Sequence, residues 1–231
     1  MIDVKNLCKS FVLHNQGGAV LSVLRDVSLH VDAGECLVLH GPSGTGKSTI
    51  LRCLYANYRT QHGTVRLRHQ QRWVDMAGAT PREILTVRRH TLGYVSQFLR
   101  VIPRIAALDI VMEPLVRNGA EHAAAKRSAQ AWLERLNIPQ RLWHLPPATF
   151  SGGEQQRINI ARSLIAAPPI LLLDEPTAAL DGINRQVVID LIDEAKRRGA
   201  AVAGVFHDTE VRDAVVTRLF NLDISGAPYG R

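Results

Sequence analysis

The sequence has no long apolar run. Nowhere do roughly 18 or more apolar residues follow one another, so no segment reads as a bilayer-crossing helix. The start, Met1 to Asn6, has no basic cluster leading into an apolar stretch, so no secretory leader is expected and a cytoplasmic location is. Cysteine is scarce. Cys8, Cys36 and Cys53 are odd in number and hold no close pair, which argues against a disulfide framework and a cysteine zinc site. They are expected as reduced thiols, with Cys36 buried in a strand. No two of the nine histidines stand at ligand spacing with Cys or Asp, so no zinc is expected. Aromatics are few, and none interleaves with the basic groups Arg66 and Arg68, Arg88 and Arg89, or Lys196 to Arg198. A base-stacking surface for nucleic acid is therefore not expected despite a net charge of +7. The basic balance reads instead as solvated faces together with an acidic protein partner. No internal repeat or low-complexity segment is visible.

What is present is the composition of a soluble globular protein, 46% hydrophobic and 21% charged, over 231 residues. That length suits one sizeable domain, or one domain with a small inserted subdomain. Val27 to Val31 alternates apolar with polar residues, the pattern of a half-buried strand. Ala33-Gly34 makes a turn, and Cys36 to His40 is a continuous apolar run, predicting a strand buried on both faces. Ser48 to Leu54 reads as a helix, so strand, glycine-rich loop and helix open a parallel α/β unit. From about Arg104 to Ala166 the strand pattern gives way. Glu121 to Leu136 is rich in strong helix formers, and Pro139 and Pro146-Pro147 divide the helices. This predicts a helical insert in an α/β core. Strand character returns at Ile170 to Leu173, followed by a helix over Ile189 to Arg198 and strands at Ala200 to Phe206 and Arg218 to Leu222. The tail after Asp223 reads as turn-like.

Gly41-Pro42-Ser43-Gly44-Thr45-Gly46-Lys47-Ser48 fits the phosphate-loop pattern and lies between a buried strand and a helix, with Thr49 in the first helical turn. Glycines let the backbone curl until several N–H groups point inward, and the helix start adds partial positive charge. Lys47 places a full charge near the β- and γ-phosphates, and Ser48 offers a hydroxyl to Mg²⁺. Ile170 to Leu173 then delivers Asp174 and Glu175 to the carboxyl end of a buried strand, where open α/β sheets bind ligands. Asp174 is expected to hold Mg²⁺ through water, and Glu175 to act as general base on the attacking water. A second phosphate-binding surface follows the helical insert. Ser151, Gly152, Gly153 and Glu154 open a helix running toward Ile165. One chain cannot easily bring both surfaces to one nucleotide; two chains packed head-to-tail can.

Phe150 to Gln155 resembles the signature motif of the ABC ATPase superfamily, which usually reads Leu-Ser-Gly-Gly-Gln. The resemblance extends over nearly the whole chain. It implies an α/β fold: a RecA-like P-loop NTPase core with an antiparallel β subdomain and an inserted α-helical subdomain. Residues 1–97 and 167–231 would form the nucleotide-binding core of a single ABC domain, and residues 98–166 the helical subdomain. It implies ATP and Mg²⁺ as cofactors and a dimer with a second ABC chain, a copy or a related subunit. Phe11 lies where the family stacks an aromatic on adenine. Gln97 matches the glutamine that contacts Mg²⁺ and the attacking water, Ala179-Leu180-Asp181 the loop that crosses the dimer interface, and His207 the switch histidine on the γ-phosphate. The departures are Phe150 for Leu and Glu154 for Gln. Both occur among ABC proteins, and Glu154 adds a negative charge near the interface that would tune closure.

Three further segments, Leu54 to Tyr58, Ser96 to Ile105 and Leu136 to Pro147, resemble the PhnL family of ABC components of the phosphonate C–P lyase system. That resemblance implies service to soluble C–P lyase core subunits, and involvement in making a ribosyl phosphonate triphosphate from ATP and phosphonate. The alternatives are the ATP-binding subunit of a lipoprotein-release or macrolide exporter, and a nucleotide-dependent clamp with negligible turnover.

Overall fold

The computed structural model describes residues 1–13, 15, 17–97 and 104–223. Part of the Ser96 to Ile105 segment, the start of the expected helical subdomain at 98 and the tail after Asp223 lie outside the described residues.

Two sheets organise the fold. β1 (Ile2–Leu13) pairs antiparallel with β2 (Ala19–Val31) and, on its other edge, with β4 (His62–His69), which pairs with β5 (Arg72–Asp75). The order is β2-β1-β4-β5. The alternation seen in sequence is realised in β2, where Val27, Leu29 and Val31 are buried while Ser28 and His30 are exposed. The second sheet holds β3 (Cys36–His40), β6 (Leu92–Val95), β7 (Ile170–Asp174), β8 (Ala201–Val205) and β9 (Arg218–Asn221) in the order β6-β7-β8-β3-β9. Every pairing in it is parallel. β7 and β8 are buried along their whole length, as continuous apolar strands covered on both faces should be. Cys36 sits in that core and Cys53 in the next helix. All three cysteines are free, and burial pushes the Cys36 thiol up to about 12 and the Cys53 thiol up to about 11.

The helix α1 (Lys47–Leu54) follows β3, as the sequence predicts. α2 (Pro81–His90) buries Val87; a reciprocal Thr80–Glu83 capping box and Pro81 in the first turn start it. The insert is helical: α3 (Ala107–Arg117), α4 (His122–Arg135) and α5 (Gly152–Leu164), with short 3₁₀ turns at Gln140–Leu142 and Pro147–Thr149 where the prolines stand. Among the described residues no side chain caps α3. Instead the carbonyls of Leu145 and Trp143 accept from Ala107 and Leu108, and the Trp143 indole donates to the Ile138 carbonyl at 2.9 Å. The proline-rich segment thus closes the helix start that it faces. α6 (Gly182–Arg197) begins well before the expected Ile189, because Asp181 caps it by accepting from the Asn184 N–H. α7 (Thr209–Val215) precedes β9.

Because the second sheet is wholly parallel, the carboxyl ends of β3, β6, β7 and β8 lie along one edge. The phosphate loop, Gln97, Glu175 and His207 follow those four ends in turn.

Candidate functional site

The phosphate loop is held in shape by its own groups. Gly41 (φ 149°) lies so close to the Leu222 carbonyl that a Cβ would stand 2.4 Å from its oxygen. Gly46 (φ 95°) is the N-cap of α1 in left-handed geometry and provides no side-chain cap. The first N–H groups of α1 therefore face the loop without a partner from its cap, which is the arrangement an anion completes. Thr45 is buried and its hydroxyl donates to the Pro42 carbonyl at 3.0 Å, closing the loop internally. Lys47 Nζ donates to the carbonyls of Gly41 at 2.8 Å and Pro42 at 2.7 Å. Burial lowers the Lys47 pKa, and nearby Glu175 acts in the opposite sense. The cavity over the loop is lined by Ser43, Gly44, Ser48, Thr49, Glu175 and His207, among others.

Three residues singled out separately in the sequence meet at one carboxylate. Glu175 sits at φ 53°, and its N–H donates to the Val205 carbonyl at 3.0 Å. A left-handed non-glycine residue just after a buried strand is a strained turn that re-aims the side chain. Gln97 Nε2 donates to Glu175 Oε2 at 3.2 Å, and His207 Nε2 stands 2.8 Å from Glu175 Oε1. Both oxygens of the expected base are thus held by the two residues expected to position water.

Asp174, one residue earlier, is buried and accepts from the Ser48 hydroxyl at 2.8 Å and from the Tyr94 hydroxyl at 3.4 Å. Burial raises its pKa; the Ser48 hydrogen bond only partly opposes this. A buried carboxylate beside the Ser48 hydroxyl offers oxygen ligands suited to Mg²⁺. Among the described residues no cluster of three or more His, Cys, Asp and Glu could hold a metal by itself. A Mg²⁺ here would draw its remaining ligands from water and phosphate, as this ion does in nucleotide sites.

The signature residues stand elsewhere. Ser151 caps α5, accepting from the Glu154 N–H at 3.3 Å, while its hydroxyl donates to Glu154 Oε2 at 2.7 Å. The Ser151 N–H donates to the same oxygen at 2.9 Å. These bonds, the Ser151 side chain first, lower the Glu154 pKa. Gly152 has open space about it, whereas a Cβ on Gly153 would stand 2.8 Å from the Ala179 carbonyl, so α5 packs closely on the segment leading to Asp181. Neither Ser151 nor Asp181 lines the phosphate-loop cavity of its own chain. Phe11 is not brought into that cavity either. Its ring meets Tyr58 edge-on at 5.1 Å, with Lys9 Nζ 4.8 Å over its centroid.

Sequence reading missed the residues that tie these parts together. Gln156 and Asn159 are buried polar residues on α5. Asn159 Nδ2 donates to the Ser96 carbonyl at 2.9 Å, and Gln156 Nε2 reaches the Ser96 and Pro176 carbonyls at 3.3 Å each. Ser163 adds a bond to the Tyr94 carbonyl at 2.9 Å. The helix that begins at Ser151 therefore grips the chain on both sides of the Gln97–Glu175 contact. Their spacing of three and four along a helix was the available signal, but polar residues at that spacing ordinarily mark a solvent face. Val23 of β2 also lines the cavity, with no sequence signal at all.

Two outcomes follow. The ionised form of Asp174 is disfavoured by folding, so it costs stability at pH values above the usual carboxylate range. Asp174→Asn should raise the melting temperature of the nucleotide-free protein at neutral pH while lowering Mg²⁺-dependent ATP turnover at least ~10²-fold; an unchanged or lower melting temperature contradicts the burial argument. Head-to-tail closure would bring a γ-phosphate against Ser151, whose hydroxyl the Glu154 carboxylate now occupies. Glu154→Gln should lower the ATP concentration needed for dimerisation by about 2–10-fold, read by light scattering, since a like charge facing phosphate is removed.

Comparison with known proteins agrees with this geometry. Residues 24–178 match the ABC transporter family. The lipoprotein-releasing system ATP-binding protein LolD of Shewanella oneidensis is 35% identical over 212 residues, 91% of this chain and 89% of that one. The macrolide export ATP-binding/permease protein MacB of Sodalis glossinidius is 35% identical over 211 residues, 91% of this chain but only 31% of its own, so this chain spans about a third of that protein. The solved post-hydrolysis dimer of the ATP-binding cassette MJ0796, bound to ADP and Pi, superposes with a TM-score of 0.89 at 29% identity, covering 100% of this chain and 97% of that one. The chain belongs to the ABC transporter family, and its fold is that of the family's ATPase cassette.

Proposed function

We propose that the chain hydrolyses ATP between two head-to-tail cassettes and passes the closing and opening motion to a protein partner in the cytoplasm. The observation that carries hydrolysis, rather than a static clamp, is the Gln97–Glu175–His207 contact: a carboxylate beside the phosphate loop, held at both oxygens. Lys47 leaves the Gly41 and Pro42 carbonyls for the β- and γ-phosphates, and the loop N–H groups hold the same oxygens. Ser48 and Asp174, with the Gln97 amide, would hold Mg²⁺. That ion, when bound, neutralises developing charge on the phosphate oxygens. Gln97 and His207 orient a water toward the γ-phosphorus. Glu175 takes its proton as the new P–O bond forms and the bond to the ADP oxygen breaks. His207 donates to a γ-phosphate oxygen, and the second cassette brings Ser151 and Gly153 to the same group. Phe11 is the proposed partner of the adenine ring, on the family resemblance alone.

Removing a base of this kind costs ~10²–10⁴ in rate. Glu175→Gln should bind ATP, turn over at that reduced rate and elute as a stable dimer in ATP; a monomeric profile under those conditions contradicts closure.

On what the motion serves, we infer the C–P lyase machinery of phosphonate breakdown, the cassette pairing with a copy or a related ABC chain. What supports this is the resemblance of Leu54 to Tyr58, Ser96 to Ile105 and Leu136 to Pro147 to the PhnL family. ATP chemistry is common to every cassette, so similarity in it does not by itself name the partner. A second reading, the ATP-binding subunit of a membrane exporter, is favoured by the names of the LolD and MacB relatives. No helix of the described residues is long and apolar enough to cross a membrane, so under that reading the span would come from outside these residues. Affinity capture of the tagged chain decides between them. Recovery with C–P lyase core subunits is expected; recovery with a permease and never with those subunits overturns the inference.

A further inference from the structure

Arg185, one turn into α6, bonds two loops at once. Its Nε donates to the Leu180 carbonyl at 3.0 Å, and its Nη1 donates to Asp208 Oδ2 at 2.6 Å. Leu180 stands just ahead of α6, whereas Asp208 caps α7 after the short turn that follows β8. The other Asp208 oxygen accepts from the N–H groups of Glu210 at 2.9 Å and Val211 at 3.3 Å, so one carboxylate serves both Arg185 and the helix start. His207 is the residue directly before it. The His207 side chain is 56% exposed, so packing does little to hold the ring. What holds it is the 2.8 Å contact with Glu175 and the backbone fixed at Asp208.

The Leu180 end of this tie belongs to an outward-facing strip. From Ala178 to Ile183 every residue but Leu180 is exposed, and Ile183 leaves 76% of a large apolar side chain in solvent. The start of α5 packs on the same strip, close enough that a Cβ on Gly153 would stand 2.8 Å from the Ala179 carbonyl. A second cassette that docks on Ser151 and Gly153 therefore meets Ala179 and its neighbours as well. A guanidinium is a planar fork whose donors keep fixed directions, so they cannot move independently. Displacement of the Leu180 carbonyl turns the fork, and the turn falls on Asp208 and the backbone of His207. A lysine at the same place carries the charge but not the fork.

We propose that Arg185 is a positioning residue: it makes the placement of His207 depend on a second cassette resting against residues 179–183. The assignment rests on the reading of hydrolysis between two head-to-tail cassettes. It deepens that reading by naming the side chain that carries contact from the outward strip to the histidine. Arg185 touches neither nucleotide nor attacking water; it acts through Asp208 and the backbone of His207 alone.

The test is a double-mutant cycle on the full chain, read in steady-state ATP turnover. Arg185→Lys keeps the charge and one bond. Asp208→Asn keeps an acceptor for the start of α7 and removes the charge that Arg185 pairs with. Each should lower kcat about 10-fold with KM within about 2-fold of the parent, since misplacing a group costs rate rather than binding. His207→Ala should lower kcat further. Adding Arg185→Lys to it should change kcat by less than about 2-fold, because the group to be positioned is gone. Losses that multiply in the double variant, parental kcat in both single variants, or a rise in KM alone overturns the assignment and leaves Arg185 a brace of the fold. Dimerisation is scored separately, by light scattering in ATP on the Glu175→Gln background, where Arg185→Lys should need no more than about 3-fold more ATP than Glu175→Gln alone. Dimers with multiplying losses remove the Arg185 assignment and keep the head-to-tail reading. Non-additive losses in a chain that never dimerises remove that reading, and with it the dependence on a second cassette, while Arg185 still places His207.

Discussion

Every strand of the larger sheet runs the same way, and the site depends on that constraint more than on any single contact. In a parallel sheet all carboxyl ends share an edge, and ligands bind beyond it. The order β6-β7-β8-β3-β9 then sets which loops are neighbours. β7 and β8 lie side by side, so Glu175 can donate its N–H to the Val205 carbonyl and meet His207 two residues later. β6 flanks β7 on its other side and delivers Gln97 to the same carboxylate. Gln97, 78 positions before Glu175 in sequence, becomes its neighbour by strand order, as does His207 on the other side.

α5 places a second demand on the same edge. Its first residue stands beside Ser151, which must face another nucleotide if closure occurs, while its middle, through Gln156 and Asn159, holds the Ser96 and Pro176 carbonyls of its own site. Buried amides with paired partners are rigid connectors, because breaking one bond leaves a polar group stranded at a cost of about 1–3 kcal/mol. A displacement of the helix start is therefore transmitted to the strand ends rather than absorbed.

Much of this was legible from residues alone, for physical reasons that differ by element. The strands at Cys36 to His40 and Ile170 to Leu173 announce themselves because burial on both faces demands unbroken apolar runs. The phosphate loop, Asp174 and Glu175 are legible because each reads against a strand already placed. Gln97 and His207 could be assigned only through resemblance, and the structure brings both to Glu175. Phe11 was assigned on the same basis, yet its ring packs against Tyr58 and Lys9. α2 and the first turns of α6 were not legible, since capping by Thr80 and Asp181, not periodicity, starts them. Gln156 and Asn159 stayed hidden because their partners are backbone carbonyls, which carry no sequence signature.

The loop also shows why nucleotide binding would need little rearrangement. Lys47 already points across the loop, its ammonium resting on the Gly41 and Pro42 carbonyls at 2.8 Å and 2.7 Å. Bonds from a charged donor to neutral carbonyls contribute about 1.5–3 kcal/mol each. Bonds to phosphate oxygens are charge-assisted on both sides and add direct attraction between full charges. The exchange of carbonyls for phosphate would therefore be favoured by charge at a Lys47 that already points across the loop. The partial desolvation that lowers the Lys47 pKa is relieved by the same exchange, since an anion arriving beside the ammonium favours its charged form. On the proposed closure, a preorganised loop would leave the energy of binding for the approach of a second cassette against Glu154.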